Sequence, residues 1–205
     1  MHKEYILKAG REISTAQKAL IMIHGRGGSA EDILSLATHL NVKDYALAAP
    51  QATNHTWYPQ SFLAPPAENE PWLSSSLKIL EKLTADIHQH GIAHENIYFM
   101  GFSQGACLML EFLARNAFRY GGAAAFTGGL IGDQIYVENY QGDFNKMPVF
   151  IGSSDPDFHV PVQRVKDTTA LLEKMGAAVR EKIYPNMGHT ISQDELNLAN
   201  QLIFR

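Results

Sequence analysis

The chain has 205 residues, of which 45% are hydrophobic and 19% charged, a composition typical of a globular protein. The formal net charge of −4, with no run of like charges, argues against nucleic acid or an anionic membrane as the main partner. The single cysteine, Cys107, excludes an internal disulfide framework and a multi-cysteine metal site. No stretch approaches the roughly 18 apolar residues of a membrane span, and the first residues form no signal-peptide core. We therefore expect one domain over residues 1–205, with the cytoplasm as its default location.

Short apolar runs alternate with amphipathic stretches along the chain, a pattern that predicts strands alternating with helices. In chain order, strands are predicted over residues 19–23, 45–49, 96–102, 122–126, 148–151 and 179–184. Helices are predicted from Ser29, over residues 72–90, 103–118 and 161–175, and from Ser192. Residues 51–71 are polar, aromatic and rich in proline, which predicts a long loop. This order predicts the α/β class, a mostly parallel twisted sheet with helices on both faces and sites at the carboxyl ends of its strands.

A G-x-S-x-G pentapeptide occupies residues 101–105, between a predicted strand and the helix that follows. In this context the serine is held on a sharp strand-to-helix turn, exposed at the end of the sheet. The helix N-terminus adds backbone N–H groups and a positive dipole end beside the reacting atom. Ser103 is therefore the predicted nucleophile. Cys107 lies one turn later, inside the helix, and is predicted to be a small core residue.

A serine hydroxyl becomes nucleophilic beside a base, and the base needs a carboxylate to hold its tautomer. Where the nucleophile lies on such a turn, the order along the chain is serine, acid, histidine. Among the nine histidines, His189 follows the last predicted strand and a short turn, which is the position that this order requires. His94 precedes a strand and would lie at the wrong edge of the sheet. His189 is therefore the predicted base.

The segment after the fifth predicted strand offers two aspartates, Asp155 and Asp157, on either side of Pro156. The proline disfavours a regular extended backbone, so the two carboxylates are not expected to share a face. One of them should face His189, and the other is expected to be a turn or helix-end carboxylate near Pro161. Chemistry alone leaves the choice between them open.

A glycine-rich loop, residues 24–29, lies between the first predicted strand and its helix. Its glycines allow the backbone to turn an N–H toward a reacting carbonyl, and the N–H of Gln104 would supply a second donor. A phosphate-binding loop is the competing interpretation, but the chain contains neither G-x-x-x-x-G-K-[ST] nor G-x-G-x-x-G. His24, at the start of the loop, is predicted to be a structural hydrogen-bonding residue and not a catalytic one.

These segments resemble the phospholipase/carboxylesterase family of α/β-hydrolases, which contains small bacterial carboxylesterases and acyl-protein thioesterases. The resemblance spans nearly the whole chain and is carried by HGRGG, WYP, GFSQG, TGGL, D-x-x-V-P and YPNMGHTI. It implies an α/β-hydrolase fold, Ser103 and His189 as catalytic residues, and backbone oxyanion donors at Arg26 and Gln104. No insertion is long enough for a cap domain, and no metal or organic cofactor is implied. A homodimer is common among similar proteins, although the sequence marks no interface.

The family pattern G-x-x-D-x-x-V-P bears on the choice of the acid, because this chain is two residues longer there. Counting forward from Gly152 selects Asp155, whereas counting back from Val160 selects Asp157. The segment DFHVP resembles the D-P-H-I-P form found in part of the family. Asp157 is therefore the preferred acid, with Asp155 as the alternative.

Arg26 stands where thioesterase-like members of the family carry an apolar residue beside the acyl channel, which argues against a long-chain lipid or palmitoyl-protein substrate. The expected activity is hydrolysis of small to medium acyl esters, with small-molecule substrates and neither nucleic acid nor membrane insertion. The candidate apolar walls of the cleft are Trp57, Tyr58, Phe62 and Met187. The alternatives are a lysophospholipase or acyl thioesterase with the same triad, and a non-catalytic ligand-binding protein on the same fold.

Overall fold

The apolar runs of the chain form a seven-stranded sheet, and the computed structural model describes all residues, 1–205. The strands are β1 (Ile6–Gly10), β2 (Lys18–Ile23), β3 (Tyr45–Pro50), β4 (Ile97–Phe102), β5 (Gly122–Phe126), β6 (Pro148–Asp155) and β7 (Ala178–Pro185). Their order across the sheet is β1-β3-β2-β4-β5-β6-β7. β1 is antiparallel to β3, and every other pairing is parallel. The central strands are buried almost throughout, as expected for parallel strands covered on both faces.

Five helices cover the two faces of the sheet and divide the core into two clusters. They are α1 (Ala30–Ser35), α2 (Trp72–Gln89), α3 (Gln104–Arg115), α4 (Val162–Lys174) and α5 (Gln193–Leu202). α2, α3 and α4 pack over a cluster of 36 buried residues, whereas α1 and α5 pack over 18 on the opposite face. None of these helices combines the length and the apolar composition that crossing a bilayer requires.

This architecture confirms the predicted α/β-hydrolase class, with a mostly parallel sheet, helices on both faces and no cap domain. Capping boxes at Ser29 and Ser192 begin α1 and α5, as the sequence indicates. Two element bounds differ from the prediction by more than one residue. β6 continues past residue 151 to Asp155 because it pairs along its whole length with β7. α3 ends at Arg115 because Asn116 leaves the helical backbone, with a φ of −130°.

β1 is the one strand that the sequence pattern does not predict. It is an edge strand that pairs only with β3, and residues 8–10 at its end are exposed. Because it contains a lysine and ends in a glycine, it lacks the continuous apolar run that marks the buried strands. It lies at the edge of the sheet opposite β7 and positions none of the predicted site residues.

The parallel strands β2, β4, β6 and β7 end at one edge of the sheet. The glycine-rich loop follows β2, the pentapeptide serine follows β4, the two aspartates lie at and after the end of β6, and His189 follows β7. The topology therefore brings the four predicted site segments together, as expected for the carboxyl edge of such a sheet.

Candidate active site

Ser103 lies on the turn between β4 and α3 and has an unusual backbone conformation. Its φ of 53° and ψ of −120° fall in a region that residues other than glycine rarely adopt. Its N–H donates to the carbonyl oxygen of Phe126 at 2.9 Å, and its own carbonyl oxygen accepts from Cys107 N–H at 2.9 Å. These two bonds join the turn to β5 and to α3, so the position of the hydroxyl group is determined by the core of the sheet.

The two glycines of the pentapeptide allow α3 to approach the sheet closely. A Cβ atom on Gly101 would lie 2.7 Å from the Gly105 carbonyl oxygen and 2.8 Å from Ala106 N. A Cβ atom on Gly105 would collide with the backbone carbonyl groups of Ile23 and His24 at the end of β2. A side chain at either position would therefore push the first turn of α3 away from β2 and β4.

Three side chains from separate loops form a continuous hydrogen-bonded series at the carboxyl edge. His189 Nε2 lies 2.8 Å from Ser103 Oγ, and His189 Nδ1 lies 2.8 Å from Asp157 Oδ2. A charged carboxylate can only accept, so Nδ1 carries the ring proton and Nε2 accepts from the serine hydroxyl. In this arrangement a histidine can take the proton of a serine hydroxyl.

Hydrogen-bond donors surround the Asp157 carboxylate. Its side chain has 0% exposed area, and Oδ1 accepts from the backbone N–H groups of His159 at 2.7 Å and Val160 at 2.9 Å. Burial opposes the charged form, but the hydrogen bonds from His189 and from these N–H groups outweigh it and lower the pKa of Asp157. The carboxylate is therefore charged at neutral pH and can stabilise a protonated His189.

Asp155, the alternative acid, lies outside this series. It is the last residue of β6, it is exposed, and its side chain has no hydrogen-bond partner. Its backbone carbonyl accepts from Asn186 N–H at 3.0 Å, which joins β6 to the loop after β7. Of the two aspartates, only Asp157 is brought to His189.

The loop after β7 holds His189 in position. The N–H of Gly188 donates to Ser154 Oγ at 2.9 Å, which ties this loop to the end of β6. The ring of His189 lies 5.3 Å from the ring of Phe102 and 4.8 Å from that of His159, measured between centroids. Because its side chain remains 25% exposed, the imidazole is both held and open to solvent.

Two backbone N–H groups beside the turn at Ser103 have no partner in the protein that would compete for them. The N–H of Arg26, in the loop after β2, donates to no protein acceptor. Gln104 is the first residue of α3, where the N–H has no intrahelical acceptor. Gly27, with a φ of 79°, follows Arg26 and donates to the carbonyl oxygen of His55 at 2.7 Å. Free N–H groups of this kind are suited to a developing negative charge.

A cleft of about 410 Å³ opens over Ser103. Its lining residues are Arg26, Tyr58, Pro59, Gln60, Ser61, Phe62, Ser103, Gln104, Cys107, His159, Val160 and His189. Only four of the twelve are hydrophobic, and none carries a carboxylate. A second cavity of about 260 Å³, between β1 and α2, shares no residue with this cleft and contains no serine or cysteine. The cleft over Ser103 is therefore the candidate active site.

Residues 8–204 match the sequence profile of a family described as Phospholipase/Carboxylesterase. The chain belongs to this family. It is 31% identical over 126 residues to a probable carboxylesterase SOBER1-like of Arabidopsis thaliana, a match that covers 60% of this chain and 48% of the relative. It is 27% identical to acyl-protein thioesterase 1 of Saccharomyces cerevisiae over an alignment of 225 positions, which covers 93% of each chain. The chain spans about half the length of several of the curated relatives that it matches, between 47% and 56% in three of them.

Solved structures have the same fold. A crystal structure of a phospholipase/carboxylesterase from Dyadobacter fermentans is 50% identical and superposes with a TM-score of 0.99, covering 100% of this chain and 98% of that one. The structure of esterase PE8 is 24% identical and superposes with a TM-score of 0.81 over 97% of each chain. The α/β-hydrolase architecture therefore persists at low sequence identity.

Two of the four predicted wall residues, Tyr58 and Phe62, line the cleft of this family member. Trp57 and Met187 do not, and Met187 lies half-buried in the turn before the histidine. Trp57 is 0% exposed, its indole N–H donates to the carbonyl oxygen of His24 at 2.8 Å, and the two rings are 5.0 Å apart. Trp57 therefore supports the loop after β2 from beneath and does not contact the cleft.

Several residues of the cleft are not among the sequence-based candidates. They are Pro59, Gln60, Ser61, His159 and Val160. All lie in the long loop or just after Asp157, next to the candidates Tyr58, Phe62 and Asp157 that the sequence predicts. The available signal was this adjacency, because a loop that crosses the carboxyl edge contributes consecutive residues to a cleft.

Cys107 reaches the bottom of the cleft but remains a core residue, as predicted. Its exposed fraction is 1%, and burial raises the pKa of its thiol to about 12. The thiol is therefore neutral at physiological pH and is a poor nucleophile.

His24 has the structural role that the sequence predicts. It is buried, and its Nε2 accepts from the N–H of Ala52 at 3.1 Å. Nδ1 must then carry the proton, which it donates to the carbonyl oxygen of Gly25 at 2.8 Å. Burial lowers the pKa of His24, so the neutral ring is the form that the fold uses.

We predict that His24→Gln makes folding less sensitive to acid. The unfolded chain protonates this histidine near pH 6.5 and the folded chain only at lower pH, so wild-type stability falls as the pH drops below 6.5. Glutamine retains an acceptor for Ala52 N–H but does not titrate. Free energies of unfolding in urea at about pH 7.5 and about pH 5.5 should differ less for the variant than for the wild type. His39→Gln, at an exposed histidine, is the control, and an unchanged difference in His24→Gln would contradict the prediction.

Proposed function

We propose that this protein is a serine carboxylesterase that hydrolyses esters of small to medium acyl groups through an acyl-enzyme on Ser103. The observation that carries the proposal is the pair of 2.8 Å contacts that join Ser103 Oγ to His189 Nε2 and His189 Nδ1 to Asp157 Oδ2. Membership in a family whose relatives are named carboxylesterases and acyl-protein thioesterases supports the same class of reaction.

In the acylation step, Ser103 Oγ attacks the ester carbonyl carbon while His189 Nε2 takes the hydroxyl proton. The carbonyl π electrons move onto oxygen and form a tetrahedral oxyanion. When these electrons return, the bond to the leaving alcohol breaks, and protonated His189 gives its proton to the alcohol oxygen. Asp157 keeps the ring in the required tautomer and stabilises the imidazolium.

The proposed oxyanion donors are the backbone N–H groups of Arg26 and Gln104. Both are free of protein acceptors, and the N-terminus of α3 adds its dipole. Donors that are oriented before the reaction stabilise the tetrahedral state without reorganisation. In deacylation, His189 takes a proton from water as the water attacks the acyl carbonyl, and Ser103 Oγ leaves with that proton.

The cleft supports a preference for small or medium acyl groups. Its volume is about 410 Å³, and eight of its twelve lining residues are not hydrophobic. The charged side chain of Arg26 is part of the lining, so a long apolar chain would have to pack against a cation.

Hydrolysis of acyl thioesters is the second candidate function. It is favoured by the match to acyl-protein thioesterase 1 of Saccharomyces cerevisiae, which covers 93% of both chains. The same three side chains would perform it, with a thiol in place of the leaving alcohol. The polar lining of the cleft favours a short acyl group in this reaction also.

Replacing Ser103 by alanine is expected to lower the rate on p-nitrophenyl butyrate by ~10⁴ or more, because the nucleophile is removed. Initial rates of the two proteins measure the effect, and a fluorophosphonate probe should label only the wild type. Ser14→Ala, at an exposed serine without hydrogen bonds, should keep the wild-type rate. Equal rates for Ser103→Ala and the wild type would exclude this mechanism.

The two aspartates provide a matched pair of variants. Asp157→Asn should lower kcat by about 10³- to 10⁴-fold, because an amide no longer holds the Nδ1–H tautomer of His189. Asp155→Asn should retain wild-type kcat, since its side chain is exposed and its backbone contact remains. Steady-state kinetics on p-nitrophenyl butyrate measure both, and a larger loss for Asp155→Asn would reverse the assignment.

A series of p-nitrophenyl esters tests the acyl preference. We expect kcat/KM to be highest for acetate or butyrate and to fall about ten-fold or more for palmitate, because the long chain meets a polar, charged lining. Butyryl thiocholine, compared with butyryl choline, tests the thioester at constant acyl length. Maximal activity on palmitate would show that the cleft accepts long chains.

A further inference from the structure

The guanidinium group of Arg26 binds three consecutive carbonyl groups of the long loop. Nη2 donates to the oxygens of Tyr58 at 2.9 Å and Gln60 at 2.7 Å, and Nη1 donates to the oxygen of Pro59 at 3.0 Å. These carbonyls belong to residues 56–60, a segment named here the strap, of which residues 58–60 line the cleft. Arg26 forms no ion pair, so these carbonyls are its only polar partners in the chain.

The side chain of Gln104 holds the strap as well. Its Oε1 accepts from Trp57 N–H at 2.9 Å and from the Thr56 hydroxyl at 3.3 Å, and its Nε2 donates to Tyr58 O at 2.9 Å. Gln104 is buried, with 6% of its area exposed. The carbonyl oxygen of Tyr58 therefore accepts from both Arg26 and Gln104, and the two side chains hold one segment between them.

Arg26 and Gln104 are also the two residues whose backbone N–H groups are the proposed oxyanion donors. The two donors differ in how their peptides are held. The peptide of Gln104 is part of α3, whereas that of Arg26 lies between two glycines. Glycines leave the backbone free to rotate. The peptide that carries the Arg26 N–H is held at its carbonyl oxygen, Gly25 O, which accepts from His24 Nδ1 at 2.8 Å and from Gly28 N–H at 3.1 Å, and the side chain of Arg26 adds a constraint on the other side of this peptide.

The shape of the guanidinium group suits this task. It is planar and carries several donors in a rigid fork, so it can bind three neighbouring oxygens at once, whereas an ammonium group is a flexible point charge. One other hydrogen bond joins the loop that contains Arg26 to the strap, from the indole N–H of Trp57 to the carbonyl oxygen of His24 at 2.8 Å. The side chain of Arg26 therefore supplies most of the contacts between this loop and the strap.

We propose that the Arg26 side chain is a positioning residue for acyl transfer: by binding the Tyr58, Pro59 and Gln60 carbonyls, it orients its own backbone N–H toward the oxyanion. The substrate does not need to contact the guanidinium group. This inference rests on the proposed esterase function. It adds a role for the side chain of Arg26, a residue of which only the backbone N–H takes part in the proposed reaction.

Arg26→Met removes the three hydrogen bonds and keeps most of the side-chain length. On p-nitrophenyl butyrate we expect kcat to fall about 10- to 100-fold and KM to change less than about three-fold, because a misdirected donor matters most in the transition state. Arg26→Lys should recover only part of kcat, since lysine lacks the planar fork. The matched control is Arg119→Met, which removes one hydrogen bond to the carbonyl of Asn145 on another loop and should keep wild-type kcat.

Chemical rescue separates positioning from a general loss of stability. Arg26 is exposed, so methylguanidinium can reach the three carbonyls in Arg26→Ala and should raise kcat several-fold, at concentrations that leave the wild type folded. Methylammonium carries the same charge without the planar fork and should not raise kcat. Equal rescue by the two ions would overturn the proposal, because it would show that charge alone is required.

Two further results would overturn the proposal: kcat of Arg26→Met within about two-fold of the wild type, or a loss that lies entirely in KM. If Arg26→Met does not fold, Arg26→Lys decides, and wild-type kcat in that variant would reject the positioning role. Wild-type activity and its loss in Ser103→Ala test the esterase function separately. An inactive wild type, or a Ser103→Ala variant as active as the wild type, would reject the proposed function. Wild-type kcat in the Arg26 variants alone would reject only the positioning role.

Discussion

The close approach of α3 to the ends of β2 and β4 is the constraint on which the rest of the site depends. It requires that residues 101 and 105 have no Cβ atom. It places Ser103 at a φ of 53°, a conformation that costs about 1–3 kcal/mol and is maintained by the surrounding core. Eleven of the twelve residues of α3 are buried, so the helix cannot shift to relieve this strain. The position of the Ser103 hydroxyl at the cleft and the free N–H of Gln104 both result from this one contact.

The other two members of the hydrogen-bonded series depend on the pairing of β6 with β7. These strands pair from Pro148 to Asp155, so the loops that follow them leave the sheet side by side. Asn186 N–H and Gly188 N–H then donate to the end of β6, which sets the distance between the loops. A carboxylate after one strand and an imidazole after the next can meet in this way without help from a cap domain.

The parts of the fold and site that depend on local pattern could be predicted from the sequence. Apolar runs and capping boxes identified six of seven strands and all five helices, and the pentapeptide located the turn at Ser103. The edge strand β1 lacked this pattern because half of it faces solvent. Trp57 shows why the cleft walls are harder to predict from the sequence. Its indole N–H donates to the carbonyl oxygen of His24, 33 residues earlier, and no local periodicity reveals this contact. The choice between Asp155 and Asp157 likewise depends on the path of the backbone after β6.

The long loop that forms the wall of the cleft and the proposed oxyanion loop are joined by hydrogen bonds in both directions. A shift in the backbone of one loop is therefore expected to shift the other. Trp57 and Ala52 donate to His24, the residue at the start of the loop, and Gly27 N–H donates back to the carbonyl of His55. Arg26 adds three more hydrogen bonds between the same two segments. A substitution in the strap that changes which acyl groups fit would therefore also move a proposed oxyanion donor. In the proposed mechanism, substrate range and the rate of acyl transfer would therefore be coupled through the backbone of one loop pair.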